Sequence, residues 1–587
     1  MCGIVGCISE NANRIVLEAL KRLEYRGYDS VGIALCKDKK LVIKKGSGKI
    51  DDVHKKLDFL QPTSNIAIGH TRWATHGKVT EANAHPHTDC NSEIAIVHNG
   101  IIENFEKIKS FLEAKGHVFK SQTDSEVIAH LIEHFLHSSN SSSFEAACKK
   151  AFSMLQGSYA ILAIKSDEEK IIAARKDSPL VMGISNNANF VASDIYALLP
   201  FTNNFIFLYN YDFVVLERGS YKIKNLIEGK VERKPEIIDI KLKAEDKQDY
   251  GHFMIKEILE QADVFVNAFG QDEKAERLVE EIKKANKVFL VGAGSSYHAC
   301  LVACYLFAKA GIFAKPIIAS EFENFLNPID KKTLIIAVSQ SGETADVLNA
   351  VKKAKEKSAK IFSIVNVYGS SLMRESEGYL LMNAGFEVGV AATKTYVAEL
   401  AIFLLLYSKL TGKKISKEKI KAKILDLLSK SRREHIEKVA ELLKEKQHVF
   451  LIGRGLQYAT ALEAALKIKE ISYIHAEAFA GGELKHGTIA LIEKGTPCIA
   501  FVSANEKEIL SNVAEIKSRG GFVIGVSPFN NKIFDVWIKV PKDDEDCEEE
   551  SPIYQIIPMQ LLAYMLSVLK GLDPDKPRNL AKSVTVI

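Results

Sequence analysis

Cys2 stands between the initiator Met1 and Gly3-Ile-Val-Gly6. Once Met1 is removed, that residue carries a thiol and a free α-amine together. An α-amine with a pKa of about 7.7–8.0 is a base for its own nucleophile near neutral pH. Taken alone, an early cysteine reads equally well as a buried small side chain. Two further segments favour chemistry. His70-Thr-Arg-Trp-Ala-Thr-His-Gly77 gathers an Arg, a Trp and two His in one loop after the apolar run at Ile66. Arg72 offers a carboxylate a two-pronged contact, which suits an amino-acid substrate. His98-Asn-Gly100 closes another strand-like run, where the Asn99 amide beside the Gly100 N–H suits an oxyanion hole. Each motif is also compatible with a loop or cap; as a set they fit amide hydrolysis through a thioester.

A different chemistry is spelled in the C-terminal half. Ser339-Gln-Ser-Gly-Glu-Thr344 follows the strand pattern of Thr333–Val338 and opens a helix pattern at Ala345. A helix N-terminus offers unpaired N–H groups and partial positive charge, which favour a phosphate. Ser and Thr also serve as ordinary N-caps, but three hydroxyls crowded into this turn favour a phosphate monoester, with Gly342 permitting close approach. The matching turn further on, Ser503-Ala-Asn-Glu-Lys507, has no such cluster, so the phosphate is expected in the first lobe only. Ser295-Ser296 supplies a second hydroxyl pair at another strand-to-helix turn, where parallel sheets bind ligands. The glycine turns are not dinucleotide fingerprints: Tyr297 and Tyr458 stand where G-x-G-x-x-G needs its last glycine.

Two kinds of scaffold must hold these groups. Residues 1 to about 235 show short apolar strands such as Ile94-Ala-Ile-Val97 and Tyr159-Ala-Ile-Leu-Ala-Ile164, mixed with helices, which predicts a layered sheet-and-helix domain. Residues 236–284 read as a charged linker with a helical patch at Phe253–Gln261. From 287 the texture becomes strand, glycine turn, helix, and it repeats. Val288-Phe-Leu-Val-Gly-Ala-Gly294 is answered by Val449-Phe-Leu-Ile-Gly-Arg-Gly455. Two doubly wound α/β lobes, 285–440 and 441–572, follow from that repeat. A polar, proline-bearing tail, 573–587, ends the chain; composition alone would let it fray, yet it reads as a segment lying over something.

Composition bounds the class. The 587 residues are 47% hydrophobic and 26% charged, ordinary for globular domains, and the net charge of +4 gives no nucleic-acid footprint. The acidic run Lys542–Glu550 reads as solvated surface. Unbroken apolar runs such as Leu400–Tyr407 fall far short of the ~18 residues of a membrane span. Glu10 and Arg14 interrupt the start before a signal peptide could form. Nine scattered cysteines without a C-x-x-C pair fit reduced thiols in a cytoplasmic protein. His85-Pro-His87 and the His134/His137 pair lack a cysteine or acid cluster at metal spacing, so they read as surface or hydrogen-bonded histidines, with no metal or other cofactor expected.

Cys2–Gly6, Tyr25-Arg-Gly-Tyr-Asp-Ser30, His70–Gly77, His98–Gly100 and Thr123-Asp124 resemble the glutaminase domain of N-terminal-nucleophile amidotransferases. Ser339–Thr344, Glu470-Ile-Ser-Tyr-Ile-His-Ala-Glu477, Gly482-Glu-Leu-Lys-His-Gly487 and Pro577–Val586 resemble the paired sugar-isomerase lobes of the glucosamine-6-phosphate synthase family. The resemblance spans the chain in the same order. Departures are few: Ala293-Gly-Ser-Ser296 stands where the family commonly has Cys-Gly-Thr-Ser, and Ile587 where an acidic residue is usual. It implies that Cys2 attacks the glutamine amide with Asn99 and Gly100 holding the oxyanion. Arg72 and Asp124 then take the α-carboxylate and α-amine, with Thr75 and His76 in the same pocket and Trp73 gating ammonia. For fructose 6-phosphate it implies Ser295, Ser296, Ser339, Gln340, Ser341 and Thr344 as the binding turns. Lys582 is implied as the Schiff-base lysine, His486 as the ring-opening acid and base, Glu470 as the C1–C2 proton carrier and Lys467 as its charge partner. A homodimer through the isomerase lobes is the family expectation.

Overall fold

Strands buried on both faces need a partner layer on each side, and the N-terminal strands obtain one. The computed structural model describes residues 2–73, 77–138, 143–238, 247, 249–504, 508–542 and 548–585. The chain divides into two compact units, Met1–Glu245 with Ala581–Ile587, and Asp246–Leu580.

In the first unit an eight-stranded and a seven-stranded antiparallel sheet stack face to face. Alternate residues of each strand go to different layers. In Ile94–Ile102, Ala95 and Val97 meet Ile4, Ile68 and Val191 of the other sheet. Ile94 and Ile96 instead meet Val127, Leu131 and Phe152 of the helices Glu126–Ser138 and Phe144–Ser153. The helix Ala12–Leu23 covers the outer face of the other sheet. The expected layered domain is therefore helix, sheet, sheet, helix. Gly3–Ile8 sits centrally, between Asn189–Ala192 and Ile66–Arg72.

The second unit carries the repeat as topology. One five-stranded parallel sheet runs Ala314–Ile318, Lys287–Gly292, Thr333–Ser339, Lys360–Val365, Gly378–Leu381. The other runs His475–Ala480, His448–Gly453, Pro497–Phe501, Phe522–Ser527, Val536–Lys539 in the same order. In both, the first strand in sequence lies between the second and third, so connections leave it in opposite directions and open a crevice at the strand ends. One shared core joins the lobes, and separate clusters fill their outer faces.

Four expectations change. The stretch 236–284 is not a plain linker: Phe253–Leu259, Gln261–Phe269 and Asp272–Lys284 are helices whose Met254, Phe265, Leu278 and Ile282 enter the shared core. Their many surface charges mask an apolar stripe at Ala275, Leu278, Val279 and Ile282. The acidic run ends inside: buried Glu549 meets Lys309 and Lys413, and buried Glu550 meets Lys423 and Tyr554. Glu548–Leu569 is long and apolar enough to cross a membrane, although no unbroken run announced it, but it lies mostly buried as a core helix. The fraying that composition alone would allow is absent where the tail starts: Asp575 accepts the Phe253 and Met254 N–H groups, and the Arg578 N–H donates to Tyr473 at 2.7 Å.

A buried ion pair ties the turn Glu24–Arg26 to the end of Asn189–Ala192. Arg26 Nη2 lies 2.6 Å from Asp194 Oδ2, which also accepts from Tyr25 at 2.9 Å. Asp194→Ala strands the guanidinium and should cost about 3–5 kcal/mol. Urea unfolding followed by Trp73 fluorescence in a Trp537→Phe background reads the first unit alone, because the chain has two tryptophans.

Candidate active sites

Cys2 enters the first site from the start of Gly3–Ile8 and meets the end of Ile66–Arg72. The Trp73 N–H donates to Cys2 Sγ at 3.3 Å. Asn99 Nδ2 donates to the Cys2 carbonyl at 2.9 Å. Asn99 and Gly100 lie on the facing sheet, and only glycine fits the second position. Gly100 has φ +129°, and a Cβ there would come 2.1 Å from the Ser158 carbonyl oxygen. Burial pushes the Cys2 thiol up, with nearby cations, Arg72 among them, opposing it. A thiol held neutral needs a local base to attack.

Arg72 is buried and donates to the carbonyls of Gly77 and Lys78 at 3.4 Å each. Burial lowers its pKa, while the fields of Cys2, Asp29 and Asp124 raise it. Asp124, also buried, accepts the Ile102 N–H at 2.8 Å. Arg72 thus lies within the field of both the thiol and the Asp124 carboxylate. Trp73 is half-buried and meets Tyr28 edge-on at 5.5 Å, so it is not a core tryptophan. Thr75 and His76 lie outside the described residues.

Behind this wall the histidines depart from the sequence reading. His85 and His87 are buried, not at the surface. His85 stacks on His70 at 4.0 Å, and His87 pairs with Thr123 at 3.1 Å. Burial holds His70 down at about 3 and both others well below the ordinary range, so they stay neutral. His134 and His137 are partly and fully exposed.

The second site gathers at the crevice of the first lobe. Ser295–Lys309 starts after Lys287–Gly292, and Ser339–Thr344 follows the neighbouring strand. In that turn Ser339 Oγ accepts the Gly342 N–H and Ser341 Oγ accepts the Glu343 N–H, each at 3.1 Å. Thr344 turns its hydroxyl to Ser339 at 2.9 Å instead of capping Ala345–Glu356. Gly342 has φ +65°, and a Cβ would meet Ser370 Oγ at 2.1 Å. Gln340 is half-buried beside them.

Ser295 and Ser296 are engaged elsewhere. Ser295 donates to Glu463 at 2.8 Å and Ser296 to Glu399 at 2.7 Å. While those bonds hold, neither hydroxyl can donate to a phosphate. Lys467, with no exposure, lies 3.3 Å from Glu463, 2.8 Å from Glu470 and 3.1 Å from Ser295 Oγ. It is therefore no surface salt bridge. The two carboxylates hold its pKa above the ordinary lysine range despite burial. His298 completes the group, 2.7 Å from Glu463. Sequence reading missed Glu463, His298 and Glu399. Glu463 at i−4 from Lys467, on a helix otherwise rich in Ala and Leu, was the available signal. Glu470 is half-buried, and His486 sits exposed on the turn Glu483–His486. Lys582 falls in the Ala581–Ile587 segment of the first unit.

Comparison with known proteins agrees with this division. A glutamine amidotransferase domain pattern matches residues 70–200, and an SIS domain pattern matches 281–409 and 441–570. The chain is 46% identical to the glutamine–fructose-6-phosphate aminotransferase (isomerizing) of Pyrococcus horikoshii over 605 aligned residues, covering 100% of both chains. The same enzyme of Methanothermobacter thermautotrophicus is 44% identical, again over 100% of each. Among solved structures, the C-terminal domain of glucosamine-fructose-6-phosphate aminotransferase from Francisella tularensis aligns with TM-score 0.52 and 33% identity. It covers 56% of this chain and 100% of that one.

Burial, with Glu463 and Glu387 nearby, pushes the Glu399 carboxyl up to about 8 from 4.5. Between those values the folded state keeps a proton that the unfolded chain has lost, so stability falls as pH rises through the window. Glu399→Gln should flatten that slope. Denaturant unfolding across the window, followed by Trp537 fluorescence in a Trp73→Phe background, measures it.

Proposed function

Because the chain belongs to the isomerizing glutamine–fructose-6-phosphate aminotransferase family, it moves the amide nitrogen of glutamine onto fructose 6-phosphate to give glucosamine 6-phosphate and glutamate; for that reaction we propose the following division of labour among its residues. The observation that supports the first half is Asn99 Nδ2 donating at 2.9 Å to the backbone carbonyl of Cys2, the residue proposed as nucleophile.

Cys2 attacks the glutamine amide carbon while the α-amine freed by Met1 removal takes the thiol proton. Asn99 and the Gly100 N–H receive the oxyanion. Arg72 takes the α-carboxylate, Asp124 the α-ammonium, and Thr75 and His76 complete the pocket. Water then cleaves the thioester to glutamate. Ammonia has to travel unprotonated to the sugar, which requires exclusion of water, with Trp73 as its gate.

At the sugar, Ser339, Gln340, Ser341 and Thr344 hold the phosphate. Ser295 and Ser296 contribute only by releasing Glu463 and Glu399. His486 opens the furanose ring, and the Lys582 amine forms the imine with C2 of the open ketose. Lys467 is unsuited to that role, because Glu463 and Glu470 keep it charged and an imine needs a neutral amine. It stabilises negative charge developing on oxygen while Glu470 carries the proton between C1 and C2. We extend the proposal to a cytoplasmic homodimer joined through the isomerase lobes, which light scattering on the intact chain tests.

Incubation with glutamine and fructose 6-phosphate should yield glucosamine 6-phosphate. Cys2→Ala should abolish glutamine use yet leave fructose 6-phosphate binding intact by calorimetry; glutamine-dependent synthesis in that variant would remove Cys2 from the mechanism.

Ser339→Ala with Ser341→Ala removes two hydrogen bonds of about 0.5–1.5 kcal/mol each. Sugar-phosphate affinity should fall roughly 5- to 150-fold, with sugar-free glutamine hydrolysis little changed.

Borohydride added with fructose 6-phosphate should trap a single hexose phosphate on Lys582, located by peptide mapping. An adduct on Lys467 or Lys485, or full synthesis by Lys582→Ala, sinks that assignment.

A further inference from the structure

Four side chains of the first unit that the proposed mechanism does not use converge on one point. Cys90 comes from the loop between His87–Thr88 and Ile94–Ile102, and His117 from the chain beyond Phe105–Glu113. His130 and Glu133 stand one turn apart on Glu126–Ser138. Each offers one ligand atom, and the four atoms all lie within 4.8 Å of one another. Cys90 Sγ is 3.5 Å from His130 Nδ1 and 3.8 Å from His117 Nδ1. Glu133 Oε2 is 2.9 Å from His117 Nδ1 and 3.3 Å from His130 Nδ1.

Three of these four separations lie within about 0.2 Å of a tetrahedron around zinc, and the fourth, His117 to Glu133, is a hydrogen bond that an ion would replace. Bonds of about 2.3 Å to sulfur and about 2.0–2.1 Å to nitrogen or oxygen put ligand atoms about 3.6 Å apart for S and N and about 3.3 Å for N and O. We propose that Cys90, His117, His130 and Glu133 bind one divalent transition-metal ion, zinc by the chemistry of the set, as a closed structural site. One thiolate, two imidazoles and a carboxylate suit zinc better than magnesium or calcium, which take oxygen ligands. Four protein ligands leave no open position, so the ion holds structure and does no chemistry.

The surroundings supply an independent argument. His130 Nε2 is buried without a hydrogen-bond partner, yet points to Glu126 Oε1 at 3.5 Å. If Nδ1 donated to Glu133, a neutral His130 would aim its Nε2 lone pair at a carboxylate. With Nδ1 on a metal, Nε2 carries the proton and faces Glu126 correctly, which is the usual arrangement of a ligating histidine. A protonated His130 would satisfy its own nitrogens but gives no reason for the thiol to converge on the same point. Asn91 Nδ2 holds the other Glu133 oxygen at 3.3 Å, and the Val118 N–H reaches the Cys90 sulfur. The ion would fasten the strand bearing Asn99 and Gly100 to the helix that begins two residues after Asp124.

The test uses the full chain without a histidine tag, equilibrated with Zn(II) or Co(II) and desalted. One equivalent of metal should remain in the wild type and in Cys2→Ala, and the cobalt form should show thiolate-to-cobalt charge-transfer absorption. Cys90→Ser should lose that absorption, and Glu126→Gln should weaken zinc binding about 10–100-fold in a chelator competition. Chelation should lower the thermal midpoint of the first unit. A wild-type chain that retains neither metal overturns the site whatever the variants do, as does a cobalt spectrum unchanged by Cys90→Ser.

Discussion

A lysine ammonium with no exposure has to be neutralised from within, and Lys467 sets that constraint at the centre of the second unit. Removing such a charge from water costs several kcal/mol unless partners surround it. Its partners come from both lobes: Glu463 and Glu470 from its own helix, and Ser295 from the helix opening the first lobe, with His298 of that helix on Glu463. The charge network therefore demands the lobe packing that the shared apolar core provides. A lysine kept charged is also unsuited to imine chemistry, which needs a neutral amine.

The two lobes carry different side chains on one topology. Both sheets have the same strand order and the same crevice where the connections part. In the first lobe the crevice is lined by hydroxyls at Ser295, Ser296, Ser339, Ser341 and Thr344. In the second, the helix following the equivalent strand, Leu456–Ser472, carries the acid and the lysine. The repeated topology supplies two sets of strand ends, and the side chains at them differ: hydroxyls at one, charges at the other.

The first unit obeys a different limit. Strands covered on both faces have no side chain free for solvent, so chemistry is confined to their ends. Cys2 opens one strand, Arg72 closes another, and Asn99 and Gly100 lie near the end of a third in the facing sheet. Gly100 stands where a Cβ would strike the Ser158 carbonyl, which explains the residue type in the His-Asn-Gly motif.

Sequence by itself determined the order of the domains, the repeat, the parallel lobes and the local turns, because each rests on periodicity or on neighbours within a few residues. Cys2, His98-Asn-Gly100 and the Ser339–Thr344 turn, proposed as nucleophile, oxyanion donors and phosphate turn, are short-range patterns of that kind. Tertiary structure decided whatever depends on burial or on residues far apart in the chain. It turned the charged stretch before 285 into core helices, buried Glu549 and Glu550, and drew His85 and His87 inside. It gave Ser295 and Ser296 carboxylate partners from distant helices, and it brought Cys90 to His117, His130 and Glu133. A side chain's charge, partners and ligand geometry are set by what surrounds it in space, and one-dimensional spacing carries no record of that.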